Sequence, residues 1–296
     1  MADVTLALPL PQQADDTVDS PARRALRRLL RRKGAVLGMI IIAVFVLLAV
    51  FAPLVSPYDP IAQSWTSVRK PPSAAHWFGT DEVGRDVLTR VIYGTRASLL
   101  AGVISITIAL SVGVPLGLIA GYLGGPLDAL LSRITDAMLA CPFLILAIAL
   151  AAFLGPSLGN AMIAIGVTTT PIFVRLTRGQ VLAVKVEDYV EAARAVGNPR
   201  WRIALVHILP NILPALLVQA TLSIAAAIIA EASLSFLGLG QQPPAPSWGS
   251  MLNSAQRFLI NAPWIAVWPG FAIFLTVLSF NLVGDGLRDA LDPRSR

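Results

Sequence analysis

Six stretches of the 296-residue chain stay apolar long enough to cross a bilayer: residues 35–55, 98–122, 135–154, 160–176, 213–237 and 264–283. A hydrocarbon core of about 30 Å takes around 20 helical residues, so each reads as a membrane-spanning helix. The fourth is the shortest and carries Thr168, Thr169, Thr170 and Pro171. The first is too long for the roughly 7–15 apolar residues of a cleaved signal peptide and reads as a signal anchor. The pattern predicts an all-α integral membrane protein with six transmembrane helices.

Composition narrows the class. Hydrophobic residues make up 55% of the chain and charged ones only 14%, where a soluble domain carries about 25% charged residues. A soluble enzyme is excluded on that ground. Lys and Arg number seven before the first span, one between the second and third, six from Arg175 at the end of the fourth to the start of the fifth and three after the sixth, against five and one on the opposite side. The positive-inside rule then puts both termini in the cytoplasm of a bacterial plasma membrane. The net charge of +6 is thus accounted for by orientation in the bilayer, without a nucleic acid as partner.

Soluble chemistry finds little to work with. The lysines are Lys33, Lys70 and Lys185, and none follows a glycine. A phosphate loop of the G-x-x-x-x-G-K-[ST] type is therefore missing, so the chain has no evident means of hydrolysing ATP. His76 and His207 fall on opposite sides of the expected membrane, and Cys141 is the single cysteine. No metal site, disulfide or catalytic triad can be drawn from them.

Inside the spans the clear ionisable residue is Glu231. A carboxylate at mid-helix costs a few kcal/mol unless it faces a cavity or a partner. Two readings stand: a residue of the translocation path or its gate together with Ser233 and Ser235, or a hydrogen-bonded glutamate holding helices together. A lone acid cannot form a proton relay, which disfavours a coupling-ion site. The N-terminal segment has two readings as well. Ser20 and Pro21 look like a helix start. Arginine pairs from Arg23 to Arg32 alternate with leucines, which fits either a helix lying on anionic membrane lipid or an unstructured basic flank.

The longest cytoplasmic connection between spans, residues 175–212, predicts a helix over 187–196 stopped by Gly197, Asn198 and Pro199, then a second short helix over 200–209 ending at Pro210. Ala192 and Ala193 keep the first helix small enough for another protein to approach. Glu187, Asp188, Tyr189, Glu191 and Arg194 give it docking groups. The alternative is a solvated loop. Glu191-Ala192-Ala193, Gly197 and Leu209-Pro210 resemble the EAA motif of binding-protein-dependent ABC importer permeases; His207 stands where the general pattern favours isoleucine. Three further segments resemble the C-type subunit of the oligopeptide/dipeptide permease family. They are Phe78-Gly79-Thr80-Asp81-Glu82-Val83-Gly84-Arg85-Asp86-Val87-Leu88, the run from Glu231-Ala232-Ser233 to Gly238-Leu239-Gly240, and Pro246-Ser247-Trp248-Gly249.

The resemblance implies a type I importer permease core (MetI-like) preceded by one N-terminal transmembrane helix. On that reading the 187–197 knob is the coupling helix that fits the ATPase subunit, and cofactors are absent from this chain, ATP and Mg being held by two partner ATPase subunits. A homologous second permease and an extracytoplasmic solute-binding protein complete the assembly, with dipeptides or oligopeptides as cargo. The alternative function is a self-sufficient secondary carrier or channel. Domain organisation follows: a basic cytoplasmic segment at 1–34, the first span at 35–55, an external loop at 56–97, a five-helix core at 98–284 containing the coupling loop 177–212, and a cytoplasmic tail at 285–296. In the last external loop Ser247 predicts the cap of a short amphipathic helix. Trp248, Met251, Arg257 and Phe258 on that segment are the candidate contact with the binding protein or, alternatively, an aromatic interface anchor. The mixed charges of 79–96 predict either a docking surface or a charged collar on the membrane.

Overall fold

The computed structural model describes residues 21–291; residues 1–20 and 292–296, with the Ser20 cap, lie outside them. An amphipathic α1 (Pro21–Arg31) precedes α2 (Lys33–Val50), which breaks at Phe51 before a single turn, α3 (Ala52–Val55). A loop leads to α4 (Val87–Leu123), followed by α5 (Gly125–Ala140), α6 (Phe143–Leu154) and α7 (Leu158–Val184). Then come α8 (Asp188–Ala195), the single turn α9 (Arg200–Arg202), α10 (Leu209–Phe236), α11 (Trp248–Ala255) and α12 (Trp264–Leu291). Among the described residues the only β-pairing is an isolated bridge between Thr80 and Asp86.

Four helices are long and apolar enough to cross a membrane unaided, namely α2, α4, the continuous helix Arg200–Phe236 and α12; the bent pair α5–α6 makes a fifth. α7 has the length, at 27 residues, but the run Thr168-Thr169-Thr170, Arg175 and Arg178 dilute it. The hydroxyls of Thr168, Thr169 and Thr170 donate to the carbonyls of Ala164, Ile165 and Gly166 a turn earlier, so the polarity of that run is satisfied inside the helix.

Two expectations need correction. The third stretch, 135–154, is not one straight span: the chain turns by 94° between α5 and α6. Pro142 supplies no N–H, and it drives the preceding Cys141 into an extended conformation (φ −80°, ψ 134°). Conversely, the helix expected to stop at Pro210 runs on. Ile203–Ile208 form a π-helical segment in which the Leu209 N–H bonds to the Ala204 carbonyl, five residues back. The widened turn makes room for the proline ring, and helix continues from Arg200 to Phe236.

The core forms where backbones meet. Gly113, Gly117 and Gly121 recur every fourth residue on α4, and each faces α7. A Cβ added at these positions would lie 2.7 Å from Phe173 Cβ, 2.6 Å from Thr177 Cβ and 2.8 Å from Val181 Cβ respectively. Both residue numbers rise together, so α4 and α7 run parallel in contact, the small-xxx-small solution for helices that gain no hydrophobic driving force from lipid. A second close crossing joins α2 to α12: a Cβ on Gly38 would meet the Ser279 carbonyl at 2.6 Å and one on Gly286 the Ala35 Cβ at 2.4 Å. α10 packs against α4, α7 and α12 and closes the bundle.

Gly117→Leu is expected to force α4 from α7 and destabilise the chain by about 3 kcal/mol or more, as overpacking does where the neighbour is backbone. Gly179→Ala, with nothing within 4 Å of the added carbon, is expected to be neutral or slightly stabilising. Thermal unfolding in detergent distinguishes them; equal melting temperatures would refute the contact.

Candidate functional site

The α8 knob is built from a short sequence with clear start and stop signals. Glu187 occupies the N-cap position in an extended conformation, and Asp188 and Glu191 place carboxylates in the first turn, where the helix dipole favours negative charge. At the other end Gly197 takes φ +84°, its N–H bonds to the Arg194 carbonyl at 2.9 Å, and the Asn198 N–H bonds to the Ala193 carbonyl at 3.1 Å. That is a Schellman closure, which needs the left-handed conformation glycine adopts without strain. The Asn198 side chain adds a second bond to the same Ala193 carbonyl at 3.1 Å. Pro199 then starts α9.

One face of α8 is fixed to the bundle and the other is free. Val190 and Ala193 are buried, while Glu187, Asp188, Tyr189, Glu191, Ala192, Arg194, Gly197 and Pro199 are exposed and Asn198 is half-buried. Ala193 therefore faces inward as a packing residue rather than outward as a docking one. Arg194 reaches over the Tyr122 ring, 5.9 Å from its centroid, and donates to the Lys185 carbonyl at 3.3 Å. The Lys185 ammonium in turn donates to the Gly121 carbonyl at 3.0 Å, so the knob is tied to the end of α4. Partial burial, with the nearby Glu187 carboxylate adding to it, raises the Tyr189 phenol above its ordinary value; it stays a neutral hydroxyl at working pH. Sequence reasoning missed the apolar part of this surface. Val186, Val196 and Trp201 are 65%, 84% and 65% exposed, large apolar groups left uncovered on a charged loop. Their signal was present as apolar residues standing alone among charges.

Glu231 sits near the far end of α10 and is fully buried. Its carboxylate accepts hydrogen bonds from Ser98 of α4 at 2.9 Å and from Ser235 one turn on at 2.6 Å. Ser235 Oγ in turn accepts the Gln241 N–H at 3.0 Å, and Gly249 of α11 packs on the Ala232 backbone beside the carboxylate, where an added Cβ would lie 2.3 Å from the Ala232 carbonyl oxygen. Ser233 is half-buried on another face and bonds back to Ile229. Glu231 and Ser235 thus form a closed polar clamp between α4, α10 and the loop at Gln241 and do not line an open path in this conformation.

The end opposite α8 is held by charges that are interior rather than superficial. Asp81, Arg85, Asp86 and Arg90 are all buried, so neither a docking surface nor a membrane collar describes them. Asp81 accepts from Arg85 Nε at 2.6 Å and lies 3.4 Å from Arg90 Nε. Asp86 caps α4 by accepting the Thr89 N–H at 2.8 Å and pairs with His76 at 2.9 Å. Arg90 donates to the carbonyls of Pro60 and Pro244 at 2.8 and 3.3 Å, joining two loops remote in sequence.

The expected helix after Ser247 is present as α11, with a capping box between Ser247 and Ser250, but it is turned inward. Trp248 is fully buried, donates its indole N–H to the Val91 carbonyl at 3.1 Å and meets Phe45 edge-on at 5.6 Å. Met251 is buried as well. Those two are core residues, which corrects the expectation that they contact a partner. Arg257 is exposed and Phe258 half-buried beneath Arg69, whose guanidinium lies 5.0 Å from the ring.

Gly197→Ala is expected to cost the knob about 1–2 kcal/mol, the penalty of the left-handed conformation, and Gly197→Asn less; resistance of the loop to proteolysis should rank wild type, Asn, Ala. Glu231→Leu leaves the buried Ser98 and Ser235 hydroxyls without an acceptor at about 1–3 kcal/mol each. Glu231→Gln keeps one. A melting temperature for Glu231→Leu at or above that of Glu231→Gln would refute the clamp.

Comparison with known proteins follows the same lines. Residues 113–296 match the family described as binding-protein-dependent transport system inner membrane component, and residues 20–72 match the N-terminal TM domain of oligopeptide transport permease C. The chain is 49% identical to the dipeptide transport system permease protein DppC of Alkalihalophilus pseudofirmus over 97% of this chain and 94% of that one. It is 48% identical to the probable D,D-dipeptide transport system permease protein DdpC of Escherichia coli, over 88% and 87% of the two chains. Against the glutathione transport system permease protein GsiD of Pectobacterium atrosepticum it is 43% identical over 96% and 95%. In fold it is similar to a chain of the MetNI methionine ABC transporter in an inward-facing conformation, with a TM-score of 0.59 at 20% identity, covering 69% of this chain and 97% of that one. The motifs around α8, Glu231 and Asp81 thus sit in a chain that belongs to the inner membrane components of binding-protein-dependent transport systems.

Proposed function

We propose that the chain is one of two homologous permease subunits of an ATP-driven, binding-protein-dependent importer of dipeptides or oligopeptides. On this reading α2, α4, the α5–α6 pair, α7, α10 and α12 are six spans, both termini lie in the cytoplasm, and α8 is the coupling helix. Two ATPase subunits hold ATP and Mg, and a solute-binding protein delivers cargo at the α11 end, where the exposed Arg257 and the half-buried Phe258 are its candidate contacts. The observation that carries the reading is the attachment of α8: its outer face is free, and it joins α7 directly to the helix Arg200–Phe236. A push on α8 moves two spans together, as alternating access between inward- and outward-open states requires. The identity to dipeptide permeases over nearly the whole chain supports peptide cargo. Glutathione, itself a small peptide, is the second reading, favoured by the GsiD similarity.

In proteoliposomes containing the full complex, dipeptide uptake is expected to require both ATP and the binding protein. Glu191→Lys is expected to lower uptake at least tenfold, with the ATPase subunits hydrolysing ATP but no longer answering to the binding protein. Accumulation of peptide by this chain alone, without ATPase subunits, would establish a secondary carrier instead.

A further inference from the structure

Two Arg–Asp pairs join α5 to α7, and they differ in an instructive way. Arg178 grips Asp128 with two bonds, Nε to Oδ1 at 2.5 Å and Nη2 to Oδ2 at 2.8 Å, and both side chains are largely covered, at 35% and 18% exposure. Arg175 touches Asp136 through a single bond, Nη2 to Oδ1 at 2.5 Å, and the two side chains are 60% and 61% exposed. Yet the open pair is the deeper one. Val181 packs on Gly121 at the end of α4, and Arg175 lies six residues earlier on α7, about 9 Å further into the bundle at 1.5 Å per residue. Asp136 stands near the far end of α5, one turn before the bend at Cys141 and Pro142.

Charged side chains at such depth do not face acyl chains; they face a partner or a water-filled cavity. Apolar residues of α7 nearer its start, Ile163 and Val167 among them, are exposed as well, so the two opposite charges stand at the inner end of an uncovered helix rather than in a packed interior. A peptide with free termini carries one carboxylate and one ammonium. An exposed ion pair is weak, and its members exchange partners readily.

We propose that Arg175 and Asp136 line the translocation path near its α8 end and exchange ion-pair partners with passing cargo, Arg175 receiving the carboxylate and Asp136 the ammonium. The cargo half of this proposal rests on the peptide reading above; the placement in the path does not.

The test uses the assembled complex in a Cys141→Ser background, since Cys141 is this chain's single cysteine and is exposed. Arg175→Cys and Asp136→Cys are introduced separately and treated, in inside-out vesicles, with membrane-impermeant charged methanethiosulfonates. Val103→Cys, on an exposed apolar position of α4, serves as comparison. Both path positions are expected to be modified at least tenfold faster than Val103→Cys, as mass shifts on this chain. Rates equal to that of Val103→Cys at both positions would overturn the placement.

Uptake then tests the cargo role. Arg175→Cys is expected to lose dipeptide uptake at least tenfold, a cationic trimethylammonium adduct to restore it several-fold, and an anionic sulfonate adduct to leave it lost. Adducts of either sign giving equal uptake would overturn the role of charge. A wild-type complex that moves no peptide with its binding protein would remove the peptide reading and the cargo half together, while the labelling rates still decide the placement.

Discussion

Direct backbone contact between α4 and α7 is the constraint on which the rest depends. Lipid offers helices no hydrophobic reason to associate, so contact must come from close approach, and only glycine at positions 113, 117 and 121 permits it. With the two helices locked in parallel, their ends on the α8 side lie together. Lys185, the residue that ends α7, can then donate to the carbonyl of Gly121 on α4. Arg194 follows by stacking over Tyr122. The knob is therefore held on a rigid base.

From that base a single helical rod runs across the molecule. Helix continues from Arg200 to Phe236 through the π-helical segment Ile203–Ile208 and past Pro210 and Pro214. At its far end Glu231 and Ser235 fasten it to Ser98 of α4 and to the loop at Gln241. Trp248 closes the same junction from the α11 side through the Val91 carbonyl. Beyond it the buried Asp81, Arg85 and Arg90 cluster joins the first loop to the last through the carbonyls of Pro60 and Pro244. Movement at α8 thus has a continuous, hydrogen-bonded route to the opposite face. Beside that route the bent α5–α6 pair packs on α7 but leaves much of its own surface uncovered.

Much of this was readable in the sequence, and the misses have physical causes. The α8 helix and its stop were legible because they depend on local chemistry: Glu187 and Asp188 at the start, Gly197 at a left-handed position, Pro199 beyond it. The Ser247 cap was legible for the same reason. Orientation of a side chain around such a helix is set by tertiary packing, which is why Trp248, Met251 and Ala193 were expected outside and lie inside. Long-range pairing was equally hidden. Asp128 and Asp136 are 50 and 39 residues from their arginines, and nothing local joins them. Proline misled in both directions, since Pro142 bends a stretch that hydropathy reads as continuous and Pro210 fails to end a helix that the π turn carries past it. The glycine ladder of α4 was visible as a four-residue repeat and went unread beside the stronger apolar signal.

That a partner ATPase applies force to the free face of α8 can be checked by site-specific cross-linking in native membranes. Single cysteines in place of the exposed Asp188 and Ala192, and of the buried Val190 and Ala193, are introduced with Cys141 replaced by serine. The exposed pair is expected to cross-link to the ATPase subunit and stop ATP-dependent uptake, while the buried pair does not react. Cross-links from the buried positions instead, or none from the exposed ones, would contradict it.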